Sequence, residues 1–334
     1  MKGKADFYHF FSPAGELSVT TPNEPDVQSE EPGPALSSPP PQIGPVETVH
    51  SAFLGPEGLR PGWGLALYFG LGTIIFFSLI SIERLIPQRG ASALWQQLVT
   101  YIVLVIASLG SAVIMSRIEK RPFGGYGLPA GGVATKNFLV GLVWGVLALS
   151  LLMLTMYAVG VFSLDRLVLH GIKMLKFAAF WGIVFLLVGI FEEFTFRGYA
   201  LHNLTRAMGF WPAAIFLSIG FGALHLANPG EAWIGAIAAG FIGLFFCFTV
   251  RRTGNLWFAV GMHASWDWGE SYLYSVPDSG GVVTGHLVHS SVRGSRWLSG
   301  GSVGPEGSLL VFVVVSLAWF VFDRCYKVAR YDPN

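Results

Sequence analysis

Phe191-Glu192-Glu193-Phe194-Thr195-Phe196-Arg197-Gly198 sets two adjacent carboxylates and an arginine at the end of a membrane-length apolar run. One ionised carboxylate in hydrocarbon costs roughly 2.5–3.5 kcal/mol on insertion scales, so a pair there demands a physical reason. Glu193 and Arg197 are four residues apart with the acid first, the favoured order for a helical ion pair. We read that pair as structural and charge-compensating. Glu192 points roughly 100° away around the helix and stays free for chemistry, which makes it the candidate general base.

The rest of the chain gives this stretch its setting. Of 334 residues, 52% are hydrophobic and only 12% charged, with a mean hydropathy of +0.56. A soluble domain carries about 25% charged residues, so the composition predicts a polytopic, all-α membrane protein. A net charge of +1 gives no electrostatic case for nucleic acid. Two cysteines, Cys247 and Cys325, exclude a disulfide framework and form no CxxC pair.

Eleven of the 19 prolines fall in the first 61 residues, so residues 1–60 read as a disordered Pro-rich cytoplasmic tail. A helical transmembrane domain is expected over residues 61–330. Its eight candidate helices have cores at Trp63–Ile82, Trp95–Ser116, Asn137–Leu164, Phe177–Arg197, Trp211–Ala227, Ala232–Val250, Asn255–Tyr274 and Gly307–Phe322. Trp63, Trp95, Trp211, Trp233 and Trp257 sit near helix ends, as an interfacial belt would. Fourteen of the 21 Lys and Arg residues fall on one side when both termini are placed in the cytoplasm. That bias predicts this orientation.

Helix arithmetic then brings other polar residues to the depth of Glu192. Gly209 lies in the turn Met208-Gly209-Phe210-Trp211-Pro212, with Glu192 17 residues before it and His225 16 residues after it. At about 1.5 Å per residue, both sit roughly 25 Å from the turn. Past the turn at Arg251–Gly254, His263 and Asp267 come at roughly 14 and 20 Å. They are spaced i,i+4 on one face, as are Phe221 and His225. The expectation is a single site holding Glu192, His225, His263 and Asp267, supported by Glu193, Arg197 and Phe221.

Glu192-Glu193-x3-Arg197, Phe221-x3-His225 and His263-x3-Asp267, in that order, resemble the CAAX protease and bacteriocin-processing (CPBP, or Abi) family, which includes the type II CAAX prenyl endopeptidases. The specific core covers about residues 177–268. Asp267 stands where the prenyl proteases carry Asn, a replacement many bacterial members share, and Gly300–Ser308 also looks like bacterial members. The resemblance implies an intramembrane endopeptidase of a bacterial cytoplasmic membrane, with a metalloprotease label. Its substrate would be a membrane-associated or prenylated-type peptide or protein. Glu192 and His225 would activate water, and His263, oriented by Asp267, would bind the oxyanion. Metal involvement stays open on these residues: His225 and His263 are zinc candidates with a carboxylate, yet no His-Glu-x-x-His motif occurs.

Two readings from other classes stand beside this one. Intramembrane acids also suit a proton- or cation-coupled transporter, although no inverted repeat is visible. A non-catalytic membrane scaffold would use the tail to hold partners. A structural reading of His225 alone, as a packing residue on an apolar helix, competes until the four-residue coincidence is counted.

Overall fold

The computed structural model describes residues 53–56, 58–85, 93–228, 230 and 233–331. The expected tail lies outside them apart from its last few residues. The protein is mostly helical. We number the long helices α1 (Pro61–Leu85), α2 (Ala93–Ile118), α3 (Gly132–Ala158), α4 (Ile172–Glu193), α5 (Leu201–Met208), α6 (Phe210–His225), α7 (Trp233–Thr253), α8 (Trp257–Trp268) and α9 (Leu309–Cys325).

Among the described residues, five apolar spans are long enough to cross a membrane: α1, α2, α3, the continuous Ile172–Met208 and α7. Side chains such as Ile74, Phe77, Leu147, Phe216 and Ile219 point outward and exposed, as an apolar solvent requires. This is an integral membrane protein. The other three expected spans form shorter helices, α6, α8 and α9, of 16, 12 and 17 residues. Trp63, Trp95, Trp211, Trp233 and Trp257 all fall in the first turns of their helices, as the belt reading expects.

Two departures from a plain bundle matter for the site. The expected helix Asn137–Leu164 stops at Ala158, where Gly160 takes φ +78°. The chain then enters strand β1 (Phe162–Leu167), paired antiparallel with β2 (Val288–Val292). This ribbon corrects the purely helical expectation: an apolar run continues past the glycine, but its backbone turns into a strand. The second departure is helical. The fourth span passes through a π-helical stretch, Phe194–Ala200, directly after the paired carboxylates. Helix α8 likewise gives way to π-helix at Gly269–Leu273, just after Asp267. Each π segment rotates the residues behind it relative to those ahead, and such segments favour functional sites.

Helix α8 lies at the centre, packed on α3 and α4. Gly141 and Gly145 form a Gly-x-x-x-Gly step on α3 that lets the α8 backbone approach closely. A Cβ on Gly145 would sit 2.1 Å from Ser265 Oγ and 2.3 Å from Met262 O; one on Gly141 would sit 2.2 Å from Phe258 O. The neighbours are mostly backbone, so they cannot step aside. Gly145→Leu is therefore expected to push α8 outward and to destabilise by at least the ~1–3 kcal/mol of ordinary overpacking. Gly220→Ala, whose Cβ meets nothing within 4 Å, is expected to melt like the wild type or slightly above it. Thermal melts in detergent compare the two.

Candidate active site

The four candidates come from three helices and line one cavity of about 320 Å³. Glu192 ends α4, His225 ends α6, and His263 and Asp267 sit one turn apart on α8. Gly209, at φ +83°, makes the turn that folds α6 back beside the Ile172–Met208 span. Gly254, at φ +76°, turns the chain from α7 toward α8.

His263 is the hub. Its Nδ1 lies 2.8 Å from Glu193 Oε1, and its Nε2 lies 3.3 Å from Asp267 Oδ2 and 3.7 Å from Glu192 Oε2. Carboxylates only accept hydrogen bonds, so this surround suits a ring protonated on both nitrogens. Phe246 stacks on the imidazole at 5.7 Å, closing its other face. The ring is buried yet borders the cavity.

His225 is set up differently. Its Nδ1 is 2.8 Å from the Phe221 carbonyl, which can only accept. A proton therefore sits on Nδ1, and in the neutral ring Nε2 carries the free lone pair. The Phe221 ring lies 4.5 Å from the imidazole and also carries the Arg197 guanidinium 4.2 Å from its centroid. One phenylalanine thus places both a histidine and a cation.

The expected Glu193–Arg197 pair is present at 3.2 Å, with both side chains fully buried. The spacing argument reached no further than this pair, but Glu193 Oε1 also holds His263 Nδ1. Glu193 is therefore a positioning residue as well as a counter-ion. Gly243 on α7 leaves the room that Arg197 fills: a Cβ there would lie 2.2 Å from its Nη2.

Sequence reasoning missed three acids. Asp278 and Glu306 belong to segments without periodic signal and line the cavity from the loop side, whereas Glu270 fell inside the expected helix Asn255–Tyr274 without being singled out. Burial, reinforced by the neighbouring Asp267 and Glu306 charges, holds the Asp278 carboxyl well above the usual range. Burial, with Asp267 adding, also pushes Glu306 up. The paired turns Asp278–Gly281 and Pro305–Gly307 were the available hint, because each sets an acid on a glycine-bearing turn.

Among the described residues, the His, Cys, Asp and Glu ligand atoms that converge within 4.8 Å belong to Asp267, Asp278 and Glu306. Neither histidine is in that group. His225 keeps Nε2 open because its Nδ1 is held by a carbonyl, whereas both His263 nitrogens face carboxylates.

An integral membrane protein with a polar cavity of acids and imidazoles among its helices is the class that fold and site define. Residues 174–269 match the family model described as type II CAAX prenyl endopeptidase Rce1-like. That match covers 96 of the 334 residues and is a likeness over that stretch to the CAAX protease and bacteriocin-processing family. No curated protein and no solved structure matches the chain.

Removing one partner from a buried ion pair leaves a charge stranded. Arg197→Ala is expected to cost about 3–5 kcal/mol, read as a lowered denaturation midpoint. Glu192→Gln, whose side chain retains a quarter of its exposure, is expected to leave that midpoint within about 1 kcal/mol of wild type.

Proposed function

We propose that this protein is an intramembrane endopeptidase in which Glu192 and His225 activate water and His263 stabilises the tetrahedral oxyanion. The observation that carries this reading is the convergence of Glu192, His225, His263 and Asp267 on one cavity. The two imidazoles are prepared for opposite tasks there. His225 offers a lone pair, which suits a proton acceptor that orients water. His263 offers N–H groups held among carboxylates, which suits an oxyanion donor.

In the first step water lies between Glu192 and His225, and its proton passes to Glu192 as its oxygen bonds to the scissile carbonyl carbon. The carbonyl oxygen gains negative charge and takes a hydrogen bond from His263 Nε2–H. Asp267, 3.3 Å from the same nitrogen, balances the ring's charge, while Glu193 holds the ring through Nδ1. In the second step the C–N bond breaks, and Glu192 returns the proton to the leaving amine. No step passes through zinc. The substrate is a membrane-associated peptide segment, with prenylated CAAX-type termini as the first class to test. The transporter and scaffold readings are not favoured, since neither requires two imidazoles with opposite proton inventories.

Purified protein in detergent, offered farnesylated and unmodified CAAX peptides and a set of transmembrane peptides, tests this. Glu192→Gln and His225→Ala are each expected to lower kcat by about 10²–10⁴-fold, the usual worth of a general base and its helper. A zinc-selective chelator is expected to leave wild-type cleavage unchanged. Cleavage that survives Glu192→Gln would overturn the assignment of the base. Zinc-dependent cleavage would overturn the metal-free route.

A further inference from the structure

We infer that Asp267, Asp278 and Glu306, backed by Glu270, form a site for a hard divalent cation, calcium before magnesium, on the loop side of the cavity. The inference does not rest on the protease reading, because cation binding is measured without turnover. The ligand oxygens of Asp267, Asp278 and Glu306 lie within 4.8 Å of one another, close enough to share one ion. Like charges that close cannot all ionise without a compensating cation or shared protons.

A second observation points to a ligand. Glu270 is fully buried, and its Oε2 has no hydrogen-bond partner, while Oε1 accepts from Trp266 Nε1 at 3.1 Å. Glu270 comes three residues after Asp267, on the same side of the helix as it enters its π turn. The charges acting on it are Glu306, Asp278 and Asp267, in that order. An unpartnered carboxylate oxygen buried against three further acids is costly, and a cation relieves it.

The loops hold these groups in place beforehand. Asp278 and Gly281 exchange backbone hydrogen bonds of 2.9 and 2.7 Å, and Gly280 N donates to Val303 O at 2.9 Å. Ser279 Oγ donates to Glu306 Oε2 at 2.8 Å, and Ser271 Oγ lies 3.4 Å from Asp278 Oδ2. Two loop segments and the end of α8 are thus tied together around the acids. The donor set is all oxygen and draws on flexible loop carboxylates, which suits calcium over zinc and over the stricter geometry of magnesium. Filled, the site would pin the segments 276–281 and 300–307 to α8 and fix their part of the cavity wall.

The test uses the full-length chain in detergent after exhaustive chelation. Calcium is expected to bind at about one ion per chain by isothermal titration and to raise the melting temperature with concentration, by linkage. Asp278→Asn and Glu306→Gln are each expected to weaken calcium binding at least about tenfold. Both are also expected to melt at or above the calcium-free wild type, because each removes one acid from a crowded buried cluster. Should either variant fail to fold, terbium luminescence sensitised through Trp266 in the wild type, displaced by calcium, gives an independent readout. The inference is overturned if neither calcium nor magnesium binds at millimolar concentration and no terbium signal appears. Undiminished binding in both variants overturns it too. So does a stability that tracks pH and ignores calcium, which would show shared protons instead.

Discussion

One carboxylate oxygen, Glu193 Oε1, accepts from both Arg197 and His263, and the arrangement of the site depends on that shared bond. A carboxylate this deeply buried has to be paired, and Arg197 supplies its charge from the same helical segment. Fixing Arg197 fixes Phe221, which lies against its guanidinium, and Phe221 in turn carries the His225 ring and the carbonyl that sets its tautomer. The other branch runs to His263 on α8. Three helices are therefore registered against one another by a single buried acid. Its neighbour Glu192 is left facing the cavity because it points to the other side of the helix.

That registration works only if α8 can reach the middle of the bundle. Backbone-to-backbone packing on Gly141 and Gly145 allows it, and the short α8 is surrounded by longer spans that face the lipid. In a membrane there is little hydrophobic force between helices, so close packing and polar pairing must hold them together. This protein uses both on the same helix: glycines against its early turns and carboxylates around His263. The π segments after Glu193 and after Asp267 then set the aim of side chains within them, Arg197 in one case and Glu270 in the other.

Much of this was legible in the sequence, for a definable reason. Depth along a helix is linear in residue number, so distances counted from Gly209 and Gly254 could place Glu192, His225, His263 and Asp267 near one level. Rotation around the helix is also periodic, which separates Glu192 from Glu193. Periodicity cannot supply the neighbour across an interface: the Glu193–His263 bond joins two helices, and nothing local announces it. Asp278 and Glu306 lie in segments with no period at all, brought to Asp267 by loop closure alone. The β1–β2 ribbon was hidden differently, because an apolar run crossing Gly160 reads the same as helix or strand until its partner Val288–Val292 is known.

The acids crowding the cavity and the two histidines are parts of one electrostatic arrangement. Arg197 is committed to Glu193, so the negative charge of Glu192 and Asp267 falls on the imidazoles that face it. For His263, with a carboxylate at each ring nitrogen, that field favours the cationic ring, the form able to donate to an oxyanion while still held by Glu193. A neutral ring would give up one of those two bonds. His225 has no carboxylate at Nδ1; a backbone carbonyl occupies it and leaves Nε2 as an acceptor. The same residue type thus takes opposite proton inventories within one cavity, and the difference between them is whether a carboxylate or a carbonyl stands behind the ring.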